Sequence, residues 1–191
     1  MTTAPGSAVA AGDGPGATQR RAAPAGPGAR ALREVLGRYA TGVTVVTCGP
    51  LHAPTGVTVN SFTSVSLNPP LILWCLARSS RSREAFTTAE YFAVNVLAAG
   101  QRDLATRFSG PADRFQGLTP RPGPRGEPLL PGAAAVLCCR RTAVVPAGDH
   151  LVFLGAVEHH ARTADRTLLF ADGAYHEGPP PPLPPGGARP G

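Results

Sequence analysis

Apolar and polar residues alternate with a period of two along much of this chain, and the pattern is clearest from Val57. The odd positions there run Val57, Val59, Ser61, Thr63, Val65, and the even ones Thr58, Asn60, Phe62, Ser64. Such alternation with β-branched residues predicts a strand. Gly56 to Ser66 is thus expected to be the second strand of a hairpin whose first strand is Val43–Thr47 and whose turn is Gly49–Pro54. Between Asn60 and Val65, however, four of six side chains are polar, and apolar blocks flank them. Buried polar groups need hydrogen-bond partners. Either the fold supplies them or a polar ligand does, and the ligand is the expectation here.

The other elements follow from the same reading. Leu32, Val35, Leu36 and Tyr39 fall at helical spacing, predicting a short amphipathic helix over 31–39. Pro69-Pro70 interrupts strand pairing, and the unbroken apolar run Leu71–Leu76 predicts a strand buried on both faces. The turn Ala77-Arg78-Ser79-Ser80-Arg81-Ser82 then leads into a short helix through Ala89. Tyr91–Val96 reads as a strand and Gln101–Phe108 as a helix. Residues 109–131 form a proline-rich loop of the length expected of a lid, a binding loop or a partner contact. Strands are predicted at Ala133–Val145 and Leu151–Val157, joined by the Pro146–Asp149 turn. A last hairpin, Thr167–Phe170 with Ala174–His176, closes on Asp172-Gly173. Strands separated by turns, without βαβ units, predict a mainly β chain: an antiparallel β-barrel with a few inserted helices.

Composition sets the limits of this domain. The chain has 191 residues, with 23 Gly and 22 Pro gathered largely at its ends. Residues 1–30 and 178–191 cannot bury enough apolar area to offset chain entropy and are expected to be disordered tails. That leaves 31–177 as one domain. The net charge of +6 comes entirely from Arg, because the chain has no Lys. Within 31–177, 14 Arg face 11 acids, and no Arg cluster interleaves with aromatics, so no nucleic-acid partner is expected. No apolar leader or span is present, which predicts a cytoplasmic protein away from the membrane. Cys48, Cys75, Cys138 and Cys139 are then expected as reduced thiols, the adjacent pair as buried strand residues. The five histidines lack metal-ligand spacing, and no metal is expected.

The Ser- and Arg-rich turn at 77–82 has two readings. Hydroxyls, guanidinium and free backbone N–H groups suit a phosphate; alternatively Ser80 or Ser82 caps the following helix beside a solvated Arg face.

Several blocks together resemble a known family. They are Tyr39–Thr47, Gly56–Pro70, Phe92–Leu97, Gln101…Phe108, Gly148-Asp149-His150 and Gly173-x-Tyr175. In this order they are similar to the flavin reductase domain family with the FMN-binding split-barrel fold, in particular to reductase components of two-component flavin-dependent monooxygenases. The resemblance implies a homodimer that uses NADH or NADPH to reduce loosely held FMN or FAD, which then leaves for a partner monooxygenase. It also implies site residues. Thr58, Asn60 and Ser61, with Val59 between them, would meet the isoalloxazine edge and ribityl chain. Ser64, Val65 and Ser66 would meet the chain and phosphate, and Ala77, Arg78, Ser79, Ser80 and Ser82 would close the phosphate site. Thr41, Gly42 and Val43 would line the ring. His150, the one candidate catalytic residue, and Tyr175 would face the nicotinamide.

The implied chemistry moves a hydride between two cofactors, so the protein has to bind and orient rather than attack. That agrees with the lack of any catalytic triad or paired carboxylates. His150 has the alternative of closing the Gly148-Asp149 turn, and Tyr175 that of packing in the barrel. Asp172, where many relatives carry a basic residue or histidine, points to NADH over NADPH. The Arg78, Arg81 and Arg83 set exceeds the need of one phosphate and suits the pyrophosphate of FAD or a partner contact. Two other readings remain: a split-barrel flavoprotein that retains its flavin as an oxidase or electron carrier, and an interaction module presenting its Pro-rich C-terminus.

Overall fold

The computed structural model describes residues 27–111, 113–163 and 165–179. The expected tails therefore lie outside it, apart from 27–30 and 178–179. Helix α1 (Pro27–Leu36) leads into strands β1 (Thr41–Gly42) and β2 (Thr44–Cys48). Then come β3 (Thr55–Val59), β4 (Thr63–Leu67), β5 (Pro70–Ala77), α2 (Arg83–Thr88) and β6 (Tyr91–Val96). A 3₁₀ turn at Ala99–Gln101 opens α3 (Arg102–Ser109). The rest is β7 (Arg121–Pro122), β8 (Pro128–Leu129), β9 (Ala135–Ala147), β10 (His150–Arg162), β11 (Leu168–Ala171) and β12 (Ala174–Glu177).

Seven strands form one antiparallel sheet in the order β3-β2-β6-β9-β10-β5-β4, and β1-β11-β12 form a small second sheet. This is the split β-barrel architecture. The predicted strand Gly56–Ser66 is in fact two strands. β3 pairs with β2 at one edge and β4 pairs with β5 at the other, so residues 60–62 carry the chain from edge to edge. Only Asn60 and Ser61 at the break disfavour a strand, a weak signal between the β-branched residues on either side.

Three further boundaries moved. α1 starts earlier and ends at Leu36, and Leu32, Val35, Leu36 and Tyr39 are 57–78% exposed rather than packed on the barrel. β5 alternates, with Ile72, Trp74 and Leu76 buried and Leu71, Leu73 and Cys75 only half-buried. The turn between β9 and β10 is only Gly148-Asp149, with Pro146 inside β9 opposite Leu151. The final hairpin forms as expected: Asp172 and Gly173 both have positive φ, at 48° and 75°, the requirement of a type I′ turn.

Two apolar clusters fill the fold. In the first, Trp74 stacks on Phe153 with centroids 4.5 Å apart, and Phe86 of α2 meets its edge at 4.9 Å. In the second, Ala105 and Phe108 of α3 cover Val43, Val45, Leu97, Leu130 and Leu168. α3 lies so close to β3 that a Cβ on Gly56 would come within 2.5 Å of the Phe108 ring. Inside the sheet Asn95 is fully buried and satisfied. Its amide donates to Val45 O and Thr47 Oγ1 at 3.0 and 3.1 Å, and its carbonyl accepts Leu130 N–H at 2.9 Å.

Candidate functional site

The two sheets meet around a cavity of about 160 Å³ lined by Val43, Thr58, Val59, Asn60, Phe170 and Tyr175. β1 is the connection: Thr41 pairs with Phe170 and Gly42 with Leu169, while Val43 N–H donates to Leu168 O. Residues more than 130 positions apart are thereby gathered. Thr41 Oγ1 is buried with no hydrogen-bond partner, so one polar atom of this neighbourhood is left unsatisfied by the fold. Tyr175 meets Phe170 edge-on at 5.3 Å, with the Arg102 guanidinium 5.8 Å from its ring centre. Asn60 is exposed.

Two hydroxyls of the polar stretch are engaged by the fold itself. Thr58 Oγ1 donates to Ala105 O of α3 at 2.7 Å. Ser61 Oγ accepts Cys75 N–H at 2.9 Å and donates to Cys75 O at 3.3 Å. Ser64 and Val65 are exposed on β4, where a register shift between Ser64 and Ser66 leaves Val65 unpaired, and Ser66 Oγ accepts Asn68 N–H at 3.2 Å.

The 77–82 turn forms a second cluster. Ala77 ends β5 opposite His150, and Arg78 N–H donates to Asp149 O at 2.9 Å. Ser80 N–H donates to Ala77 O at 2.9 Å, and Ser80 Oγ accepts Ser82 N–H at 3.2 Å. Arg78 and Ser79 are exposed. Ser82 is the N-cap residue of α2, yet its side chain makes no capping bond; its hydroxyl instead accepts from Arg114 Nη1 at 3.2 Å. His150 belongs to this cluster and does not line the cavity that holds Tyr175. Its Nδ1 lies 2.7 Å from Asp149 Oδ1, and the imidazole beside it holds the Asp149 carboxyl below the usual carboxylate range.

Sequence reasoning missed two lining residues. Phe170 could have been found from the inward period of β11. Arg114, one of several charges in a proline-rich loop, carries no local signal. It helps form a cleft of about 290 Å³ beside the turn, lined among others by Thr55, Gly56, Arg81, Ser82 and Phe115. The four cysteines are free, and burial pushes the Cys48, Cys138 and Cys139 thiols up to about 12. Among the described residues, no three His, Cys, Asp or Glu side chains converge to hold a metal, and no helix is long and apolar enough to cross a membrane.

Fold and cavity together define a split-barrel protein whose polar seam lies between two sheets. The chain belongs to the flavin reductase-like domain family, which its residues 36–179 match. It is 43% identical over 152 residues to the FMN reductase (NADH) SmoA of Agrobacterium fabrum, covering 80% of this chain and 87% of that one. It is 40% identical over 150 residues to the flavin-dependent monooxygenase reductase subunit HsaB of Mycobacterium tuberculosis, covering 76% and 80%. Among solved structures, the Streptomyces globisporus NADH:FAD oxidoreductase SgcE6, in complex with NAD and FAD fragments, superposes with a TM-score of 0.76 at 40% identity. That match covers 84% of this chain and 99% of that one. Some relatives are longer: the chain spans 48% of a probable flavin reductase of Rhizobium meliloti.

Proposed function

We propose that this protein oxidises NADH or NADPH, reduces FMN or FAD, and releases the reduced flavin to a flavin-dependent monooxygenase in the cytoplasm. The enzyme is an NAD(P)H-dependent flavin reductase of the split-barrel class. The observation that carries its site is the cavity shared by Val43, Thr58, Val59, Asn60 and Tyr175. The residues there fit a flavin. An exposed Asn60 amide offers a polar contact beside apolar walls from Val43, Phe170 and Tyr175, and the unsatisfied Thr41 hydroxyl lies buried on the adjoining β1, a mixture typical of cofactor pockets.

Bound flavin supplies the hydride acceptor, at N5, for the nicotinamide C4 hydride. The chain's own task is binding and orientation. Val43 and Val59 wall the ring, Asn60 fixes its polar edge, and Tyr175 covers the nicotinamide side. The Ser79 backbone N–H and the Ser79 and Ser80 hydroxyls hold the phosphate, with Ala77, Arg78 and Ser82 framing the turn that the Ser80 N–H closes onto Ala77 O. Ser64, Val65 and Ser66 follow the ribityl chain along β4. His150, fixed by Asp149, orients the nicotinamide dinucleotide from the phosphate end. Thr58 and Ser61 act through the backbone they hold, since their hydroxyls are committed to Ala105 and Cys75.

We also propose that the enzyme is a homodimer. On the outer face of the sheet, Leu73 pairs with Leu154 and Cys75 with Val152, and the row continues to Ala143 and Val145. These residues are half-buried or exposed, and a second copy seated on this face would bury them.

The test is NADH and NADPH oxidation assayed with FMN, FAD and riboflavin in turn. A reductase comes off a column nearly colourless and turns over with added flavin. A yellow protein that consumes no NADH would be a flavin-retaining oxidase or carrier instead.

A further inference from the structure

The relatives named above include both an FMN reductase and an FAD oxidoreductase at similar identity, so likeness does not choose the flavin. The cleft beside the phosphate turn does. We propose that the cleft between the start of β3, α2 and the loop residues Pro111 and Asp113–Phe115 receives the second phosphate and the adenosine of FAD, giving this protein a preference for FAD over FMN. The inference rests on the flavin reductase reading above.

Two guanidinium groups line this cleft, and both are held by neutral oxygens. Arg81 Nη2 donates to Pro111 O at 3.0 Å. Arg114 donates from Nε and Nη2 to Gly110 O at 3.1 and 3.0 Å, and from Nη1 to Gly56 O and Ser82 Oγ. Carbonyls and hydroxyls fix the position of a cation without neutralising it. Among the described residues neither arginine is in an ion pair. Burial and the Arg81 charge both lower the Arg114 pKa, as expected where two like charges are held together without a counter-ion. Asp113 also lines the cleft, with its Oδ1 accepting Phe115 N–H at 3.1 Å. One carboxylate against two guanidiniums leaves a net positive site.

Donors remain to meet an anion. A guanidinium has five N–H groups; Arg81 uses one and Arg114 four. The buried Ser82 hydroxyl accepts from Arg114 and keeps its own hydrogen. Position selects the ligand. Arg81 and Ser82 directly follow Ser79-Ser80, the turn assigned to the phosphate that FMN and FAD share. A ligand ending at that phosphate stops short of the cleft, whereas a dinucleotide continues into it. The apolar surfaces of Pro54, Ala85 and Phe115 on its walls suit a purine.

The experiment is a flavin-fluorescence titration of wild type and Arg81→Gln with FAD and with FMN, repeated with ADP as competitor. Arg81 makes a single hydrogen bond and is exposed, so the variant is expected to fold, which its melting temperature checks. Wild type should bind FAD at least tenfold more tightly than FMN, with ADP displacing FAD. Arg81→Gln should reduce the FAD-to-FMN preference about tenfold, the loss of one charge-assisted contact. A wild type with no FAD preference, or a preference unchanged in Arg81→Gln, would overturn the proposal. So would a variant whose only defect is a raised KM for NADH with FMN as acceptor, since the cleft would then serve the nicotinamide dinucleotide. A wild type that binds no flavin and oxidises no NADH would instead overturn the reductase reading itself.

Discussion

Ser61 holds the backbone of Cys75 from both sides, accepting its N–H at 2.9 Å and donating to its carbonyl at 3.3 Å. The residue thus fastens the edge-to-edge crossing between β3 and β4 onto β5. Ser61→Ala leaves two partly buried backbone groups unpaired and should cost about 1–2 kcal/mol, read as a lower urea midpoint at unchanged slope. Flavin affinity should fall with it, because Asn60 loses its anchored neighbour.

Asn60 gives the complementary case. It is exposed, so Asn60→Leu should leave the melting temperature within about 1 °C while raising the flavin Kd about tenfold, the worth of one hydrogen bond of about 1.4 kcal/mol. Unaltered flavin binding in a folded Asn60→Leu protein would remove this residue from the site.

Asn95 should behave as pure scaffold. Its amide joins β2, β6 and the Leu130 backbone in the sheet interior. Asn95→Leu removes the side-chain partner of Val45 O and Leu130 N–H and one of the two partners of Thr47 Oγ1, which keeps its bond to Pro128 O, and a loss of about 3 kcal/mol is expected in chemical denaturation.

Thiol reactivity should separate the four cysteines. With Cys48, Cys138 and Cys139 pushed up to about 12 by burial, their thiolate fraction at pH 8 is about one in ten thousand. A disulfide reagent at that pH should modify at most one site rapidly, Cys75, until the protein is unfolded. The stability sign follows from the same shift. A pKa raised on folding means the native state holds its protons longer. Stability from these thiols is complete below about pH 9 and declines as pH rises toward 12, which an alkaline melting series should show.

The outer sheet face predicts an assembly state. Leu154→Asp puts a charge opposite Leu73 at the centre of the proposed subunit contact. Light scattering should show a dimer for wild type and a monomer for the variant. A monomeric wild type would refute the contact.

How much of this was legible beforehand differs by element. The Asp172-Gly173 hairpin was readable because a type I′ turn needs residues that tolerate positive φ, a purely local requirement. β5 was misread because Leu71 to Leu76 carry apolar side chains on both faces, and composition cannot tell a core face from one left for a partner. The division of Gly56–Ser66 into two strands was barely visible, since it is set by pairing with β2 and β5 more than by the residues themselves. For the site, β3 and Tyr175 stood out through the resemblance. Arg114 did not, because its significance lies in reaching Gly56 and Ser82 across the fold. The hydroxyl-rich seam was also only half understood: two of its hydroxyls are structural ties.

Trp74 gives the molecule a built-in optical probe. It is the only tryptophan in the chain, fully buried and stacked on Phe153. Its emission therefore reports one known place, shielded from water, and should sit at short wavelength in the native protein and shift red when the barrel opens. A flavin arriving at the adjoining seam absorbs in that emission band. Quenching of a single indole would then measure cofactor arrival without any engineered label.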